Sequence, residues 1–438
     1  MRASLLDLGL CGPGPSCAAL VPRVLVCGDA DFAYALSLTA QLGSRACITA
    51  TAYEAEDELL ARYPHAAGAM AKLRDMGAFV RCGVDATALG ALFGAEPAFE
   101  RIVFNLPQAP PAPKARNQIQ RHRALLRDFC GSAASVLAPH GELWVTLLAG
   151  QGGTPLDPTQ RAPGDTWAVA HQAASAGLLV ARVSEANIEA LAAAGYTPTG
   201  RRSGEKAVAL GRNRQQKGLV VHVCVAEEAE EEAEEAAEAA EAEARGGPAR
   251  LSVAPLEWSL DNSFWLDATD EPSEEALFQT CRAALGPRAA HALPSPPRLV
   301  DSYERPCTFP VPSLYLPCTF PVPSQVDSYE RPADGRRART YRFAYRSDRL
   351  ALSRERAKQM NELVVTALER EYYEPRGVSP AAAAAVEAAA AASGEAEEAA
   401  ALQDGSGTEG ARESKKLRSL RASGRSEACG SRDAHALP

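Results

Sequence analysis

Two carboxylates and a glycine behind an apolar run are the residues best placed to do chemistry in this chain. They stand in Val24-Leu25-Val26-Cys27-Gly28-Asp29-Ala30-Asp31-Phe32. A short β-branched run reads as a buried parallel strand. Gly28 lets the backbone turn sharply where a side chain would forbid it, and Asp29 or Asp31 can cap the helix that starts next. Strand, glycine turn and helix N-terminus together make the nucleotide-cofactor corner of a doubly wound α/β sheet. One glycine stands where dinucleotide sites carry three, and two carboxylates repel a pyrophosphate. They suit a ligand that offers an amine, a sulfonium or ribose hydroxyls, which favours S-adenosyl-L-methionine over NAD.

Further candidates follow in order. Tyr53 and Glu54 end a second strand, Cys47 to Tyr53. An acid there can accept the cofactor's ribose hydroxyls, or can simply open the helix carrying Glu56, Asp57 and Glu58. Asp85 and Ala86 follow a third strand, Phe79 to Cys82; Asp85 can reach an adenine amine or cap a helix. The fourth strand, Phe99 to Phe104, runs into Asn105-Leu106-Pro107-Gln108. An Asn amide offers a donor beside an acceptor, complementary to the ring N–H and carbonyl of uracil; a turn Asn closing a strand is the plainer reading. Lys114, Arg116, Arg121 and Arg123 form a basic cluster at the next helix start, suited to RNA phosphates or simply to solvation.

The elements that position these residues are strands and helices in alternation up to about residue 226. A helix from Leu125 to Leu137, a turn at Pro139-His140-Gly141 and strands at 142–147, 178–183 and 220–225 complete the sheet. Ten glutamates between Glu227 and Glu243 outweigh the net charge of −9, so residues 227–250 read as a solvated acidic linker. Residues 1–20 are an N-terminal extension broken by Gly and Pro, a poor signal peptide. The eleven cysteines lack any C-x-x-C pair. They read as reduced thiols of an intracellular protein, with no metal site expected. No apolar run approaches the roughly 20 residues of a membrane span.

The motifs GDADFAYALSL, ITATAYEAEDELLARYP, GVDATAL, FERIVFNLP and ELWVTLLAGQ occur in that order. They resemble the eukaryotic large-subunit (25S) rRNA uridine-N3 methyltransferase-like domain over residues 21–226. GQGGTPLDPTQR and GYTPTGRRSGEK resemble the branch joined to a ferredoxin-fold anticodon-binding domain (FDX-ACB). Residues 251–376 resemble that second domain, with a strand at 261–266, a helix at 274–285, strands at 299–303 and 340–347, and a last helix capped by Ser353. Tyr341, Phe343 and Tyr345 alternate as on a half-buried strand. Nine basic residues against two acids from Arg336 to Lys358 make Arg342 and Arg346 candidate RNA contacts. VDSYERP and CTFPVPS each occur twice, so 306–332 reads as a duplicated insertion, and 377–438 as a disordered tail.

The resemblance implies a Rossmann-like class I fold followed by an α+β ferredoxin-like domain. It implies S-adenosyl-L-methionine as cofactor, with Gly28, Asp29, Asp31, Phe32, Tyr53, Glu54, Asp85 and Ala86 around it. Asn105 and Pro107 would form the catalytic loop, acting on RNA, with rRNA as first expectation and tRNA second. Two positions depart from the family pattern: Leu106 stands where an aromatic is usual, and Gln108 where a His is usual. They favour the rival expectation of a catalytically inactive RNA-binding protein that keeps the fold. A dinucleotide oxidoreductase is disfavoured by the missing glycines. Nucleus, nucleolus and cytoplasm stay open as compartments, as does an organelle reached by a short transit sequence.

Overall fold

The computed structural model describes residues 5–10, 21–94, 99–110, 117–196, 218–227, 250–266, 272–303 and 337–374. Lys114, Arg116, the 306–332 repeat and the 377–438 tail lie outside them.

Seven strands form the first sheet: β1 (Arg23–Cys27), β2 (Cys47–Thr51), β3 (Phe79–Arg81), β4 (Phe99–Asn105), β5 (Leu137–Leu148), β6 (Leu178–Glu185) and β7 (Leu219–Ala226). Their order is β3-β2-β1-β4-β5-β7-β6. All are parallel except β7, which runs antiparallel to both neighbours. This is a Rossmann-like α/β sheet, the fold class expected from the sequence.

Strand periodicity builds a core on each face. Val24 and Val26 point into one layer beneath α1 (Ala33–Leu42), α2 (Glu56–Arg62) and α3 (Ala66–Asp75). Leu25 and Cys27 point into the other, against Leu126, Phe129 and Ala133 of α5 (Gln118–Ala134). The short helices α4 (Leu89–Phe93), α6 (Val169–Ala174) and α7 (Ile188–Ala193) complete the connections. Helix α7 is not among the expected elements; Asn187 caps it, its side chain accepting the Ala190 N–H at 3.2 Å.

Two expectations are corrected here. Residues 5–10 belong to the core rather than to an extension. Leu5, Leu6, Leu8 and Leu10 are buried. Tyr34 donates its hydroxyl to the Leu5 carbonyl at 2.6 Å, and Arg101 Nε donates to the Leu8 carbonyl at 2.9 Å. Pro139-His140-Gly141 makes no turn. It lies within a continuous β5, where the pairing jumps from Phe99–Leu137 to Arg101–Glu142. The extra residues are taken up as a bulge.

The second unit carries β8 (Glu257–Leu266), α8 (Glu274–Ala289), β9 (Arg298–Tyr303), β10 (Arg337–Arg346), α9 (Arg354–Glu371) and β11 (Tyr373–Glu374). The order β11-β8-β10-β9 with all pairs antiparallel is the βαββαβ ferredoxin-like arrangement. Tyr341, Phe343 and Tyr345 are buried with Phe264, Leu277 and Val364, while Arg342 and Arg346 face outward. Ser353 accepts the Arg356 N–H at 3.2 Å and caps α9.

The two units are joined by more than chain. Glu227, first residue of the expected linker, accepts from Arg356 Nη1 at 2.9 and 2.8 Å and from the Ala351 N–H at 2.8 Å. Arg288 lies 3.5 Å away. The Val253 N–H donates to the Val180 carbonyl of edge strand β6 at 2.8 Å.

Candidate active site

Strand order reverses between β1 and β4, so the loops leaving their carboxyl ends part and leave a crevice. A cavity of about 700 Å³ occupies it, walled by the loops after β1, β2, β3 and β4 and by one side of α5.

The β1 loop turns at Gly28, whose φ is +64°. A Cβ there would stand 2.7 Å from Phe104 Cε2, so the position requires glycine. Both acids then cap α1: Asp31 Oδ1 accepts the Ala33 N–H at 3.1 Å, and Asp29 Oδ2 accepts the Ala35 N–H at 2.6 Å. The two caps expected as alternatives are both made. Burial, and then the charge of Asp31, push the Asp29 carboxyl up to about 7. Both side chains line the cavity, and His65 Nε2 stands 3.4 Å from Asp31 Oδ2.

Tyr53 and Glu54 reach the wall from the end of β2. Glu54 is 9% exposed and pairs with Arg62 Nη1 at 3.4 Å. Its backbone carbonyl accepts the Gly83 N–H at 2.8 Å, tying the β2 loop to the β3 loop. Asp85 caps the short turn that follows, accepting the Thr87 N–H at 2.8 Å and its hydroxyl at 2.7 Å. Asp85 and Ala86 both line the cavity.

Asn105 closes β4 on the opposite wall. Its amide Nδ2 and Oδ1 are buried and make no hydrogen bond. The Tyr34 hydroxyl is close enough to Asn105 for the amide to oppose slightly the upward shift that burial gives the phenol, but its proton goes to Leu5. Buried polar atoms without partners are costly. Here two of them border the cavity, beside Leu106 in the left-handed region at φ +49°.

Two expected site residues lie elsewhere. Phe32 is fully buried in the first core layer and is not part of the cavity wall; its backbone, at φ +59°, shapes the loop while its ring packs away. Pro107 is buried beside the wall without lining it. Of the basic cluster, Arg121 lines the cavity and donates to the Pro110 carbonyl. Arg123 is turned to the carbonyls of Thr166 and Pro163, so it braces a loop. In the second unit Arg342 is held by both oxygens of Asp261 at 2.7 and 2.8 Å, and Arg346 stays exposed. Sequence reasoning missed Tyr34 and Tyr196. They wall the cavity with rings 5.4 Å apart, edge to face. Both lie inside quoted motifs, Tyr34 in GDADFAYALSL and Tyr196 in GYTPTGRRSGEK, but an aromatic gives no local sign of facing a cavity.

The donor set fits S-adenosyl-L-methionine: acids for a cationic amine and for hydroxyls, and an apolar wall at Ala86 and Val84 for a base. Among the described residues no group of His, Cys, Asp and Glu could hold a metal, and no helix is long and apolar enough to cross a membrane. The six described cysteines are unbonded.

Residues 25–199 match the family described as rRNA (uridine-N3-)-methyltransferase BTM5-like. Over this segment, under half of the chain, the sequence is similar to the BMT5-like family. Two relatives extend the likeness: ferredoxin-fold anticodon-binding domain-containing protein 1 of Homo sapiens, 38% identical, and its homolog in Mus musculus, 37% identical, each over 185 residues. That stretch is 42% of this chain and 28% and 29% of theirs, so the match spans under a third of these relatives. Their name refers to a ferredoxin-fold domain, the fold seen in the second unit here. Among solved structures, TrmN from Thermus thermophilus is similar over 48% of this chain and 45% of its own, at 17% identity and a TM-score of 0.28.

Proposed function

We propose that residues 21–226 form an S-adenosyl-L-methionine-dependent RNA methyltransferase acting on uridine N3, in rRNA before tRNA, and that residues 251–376 hold the RNA. The observation that carries this reading is the buried Asn105 amide, with the Tyr34 hydroxyl near it, across one cavity from Asp29, Asp31 and Glu54. Glu54 would accept the ribose hydroxyls, Asp29 and Asp31 the cationic amine, and Asp85 with Ala86 the adenine. Bound there, the cofactor supplies an activated methyl group for in-line displacement. Asn105 would grip the imide edge of a uracil drawn out of its stack, its Oδ1 accepting from the ring N–H and its Nδ2 donating to a carbonyl. An amide takes no proton, so N3 would release its proton to water before it accepts the methyl group from the sulfonium, leaving the thioether to depart. Arg121 at the cavity mouth, with Arg346 and the partly neutralised Arg342 on the second unit, would meet phosphates. Lys114 and Arg116 belong to the same proposal on sequence grounds. An rRNA substrate would suit a nucleolar location, with nucleus, cytoplasm and an organelle as the alternatives.

The test is calorimetry with S-adenosyl-L-methionine on the full chain, NAD as control, followed by nucleoside analysis of deproteinised RNA after incubation. Micromolar binding and 3-methyluridine are expected. Asn105→Ala should lower transfer at least about 100-fold and leave cofactor affinity within about twofold. Cofactor binding without any methylated product, in wild type, would favour the inactive RNA-binding protein that Leu106 and Gln108 suggest.

A further inference from the structure

Gln108 follows Asn105 by three residues, exposed and on the cavity wall. Its amide Oε1 is placed 3.4 Å from Nε2 of His122, a side chain only 4% exposed on α5. The His122 ring is stacked on Trp167, with centroids 4.2 Å apart and planes 22° from parallel. Its Nδ1 lies 2.7 Å from the Gln118 carbonyl oxygen.

These contacts fix a sequence of protons. A carbonyl only accepts, so Nδ1 carries hydrogen and donates to Gln118. In the neutral ring Nε2 is then a bare acceptor. A bare nitrogen attracts the NH2 end of the Gln108 amide and repels its oxygen. The two ends have the same shape, so hydrogen bonding alone decides which faces inward. Turned over from its placed orientation, so that His122 holds the NH2, the amide leaves its oxygen for the cavity.

We infer that His122 is a positioning residue: it turns Gln108 so that an acceptor oxygen faces the substrate base and shares with Asn105 Oδ1 the single N–H of the base edge they select. The identity of that edge as a uracil imide rests on the proposed function. The orientation itself does not.

Two measurements on the full chain test it. Long-range 1H–15N spectra of 15N-histidine protein at pH 8, with His122→Phe to assign the signal among seven histidines, should show Nδ1 protonated and Nε2 bare. The opposite tautomer overturns the inference without any substrate present. Methylation of deproteinised total RNA supplies the second. His122→Phe keeps a ring on Trp167 and removes the acceptor, and should lower kcat/KM about tenfold. In a Gln108→Glu background, where both ends of the side chain are oxygen, the same change should cost under about twofold. An equal loss in both backgrounds would make His122 merely structural and overturn the inference. If wild type methylates no uridine, the uridine reading fails, while the tautomer still decides the role of His122.

Discussion

The Asp29 carboxyl accepts the Ala35 N–H at 2.6 Å, a contact that favours its charge, yet burial and Asp31 raise its pKa to about 7. The folded chain therefore keeps a proton that the unfolded chain releases near pH 4. This group's contribution to stability is complete below that pH and is lost as pH rises to about 7. A cationic ligand prefers the ionised form, so cofactor affinity should climb by up to about tenfold per pH unit below 7. Asp29→Asn should bind more weakly and with a flat profile between pH 5.5 and 8. A wild-type profile already flat in calorimetry would remove Asp29 from the ligand. One residue earlier, Gly28→Ala must hold a side chain at positive φ against a Phe104 ring packed 4.8 Å from Phe129. It should cost about 2 kcal/mol or more, read as a lower Tm in thermal unfolding. The glycine and the acids were legible because turn, cap and charge act within a few residues. Phe32 was misread for the same nearness: a loop residue beside two cofactor-facing acids turns its ring to the core, which only the packed layer decides.

At the scale of elements, the strands that carry the cavity were legible from their apolar runs, and their carboxyl ends fell where Glu54, Asp85 and Asn105 had been expected. What hid were elements whose signal is tertiary. Leu5 to Leu10 is too short and too broken to read as structure, but it fills a layer beneath α1 and supplies the acceptor for Tyr34. Tyr34→Phe should therefore loosen the N-terminal segment, with faster amide exchange at residues 5–10 and a loss of about 1 kcal/mol. Unchanged exchange there would mean that the leucines alone hold it. Strand β5 hid differently. Pro-His-Gly carries a turn signal, and the sheet overrides it because Glu142 beyond the bulge is held by Arg101 at 3.2 Å.

For the whole molecule, the charge pattern suggested a linker starting at residue 227, and a count of glutamates cannot show that the first of them is a joint. Glu227 gathers two arginines and a backbone N–H, while the apolar contact of Leu179, Val225 and Ala351 lies alongside. Glu227→Ala leaves those donors without their acceptor and should cost about 1–3 kcal/mol. Calorimetric unfolding should then split into two transitions, one per sheet; a single shifted transition would show that the apolar contact suffices to couple them. The antiparallel β7 sets a further condition, on the order of events during synthesis. It lies between β5 and β6 yet is made after both, so β6 has no neighbour in the sheet until residue 219 onward leaves the ribosome. Until then the nascent chain presents the bare edge of β5, a twelve-residue strand and a template for mispairing with another chain. A nascent chain stalled before β7 should bind chaperones, and one extended past the joint at Glu227 should release them.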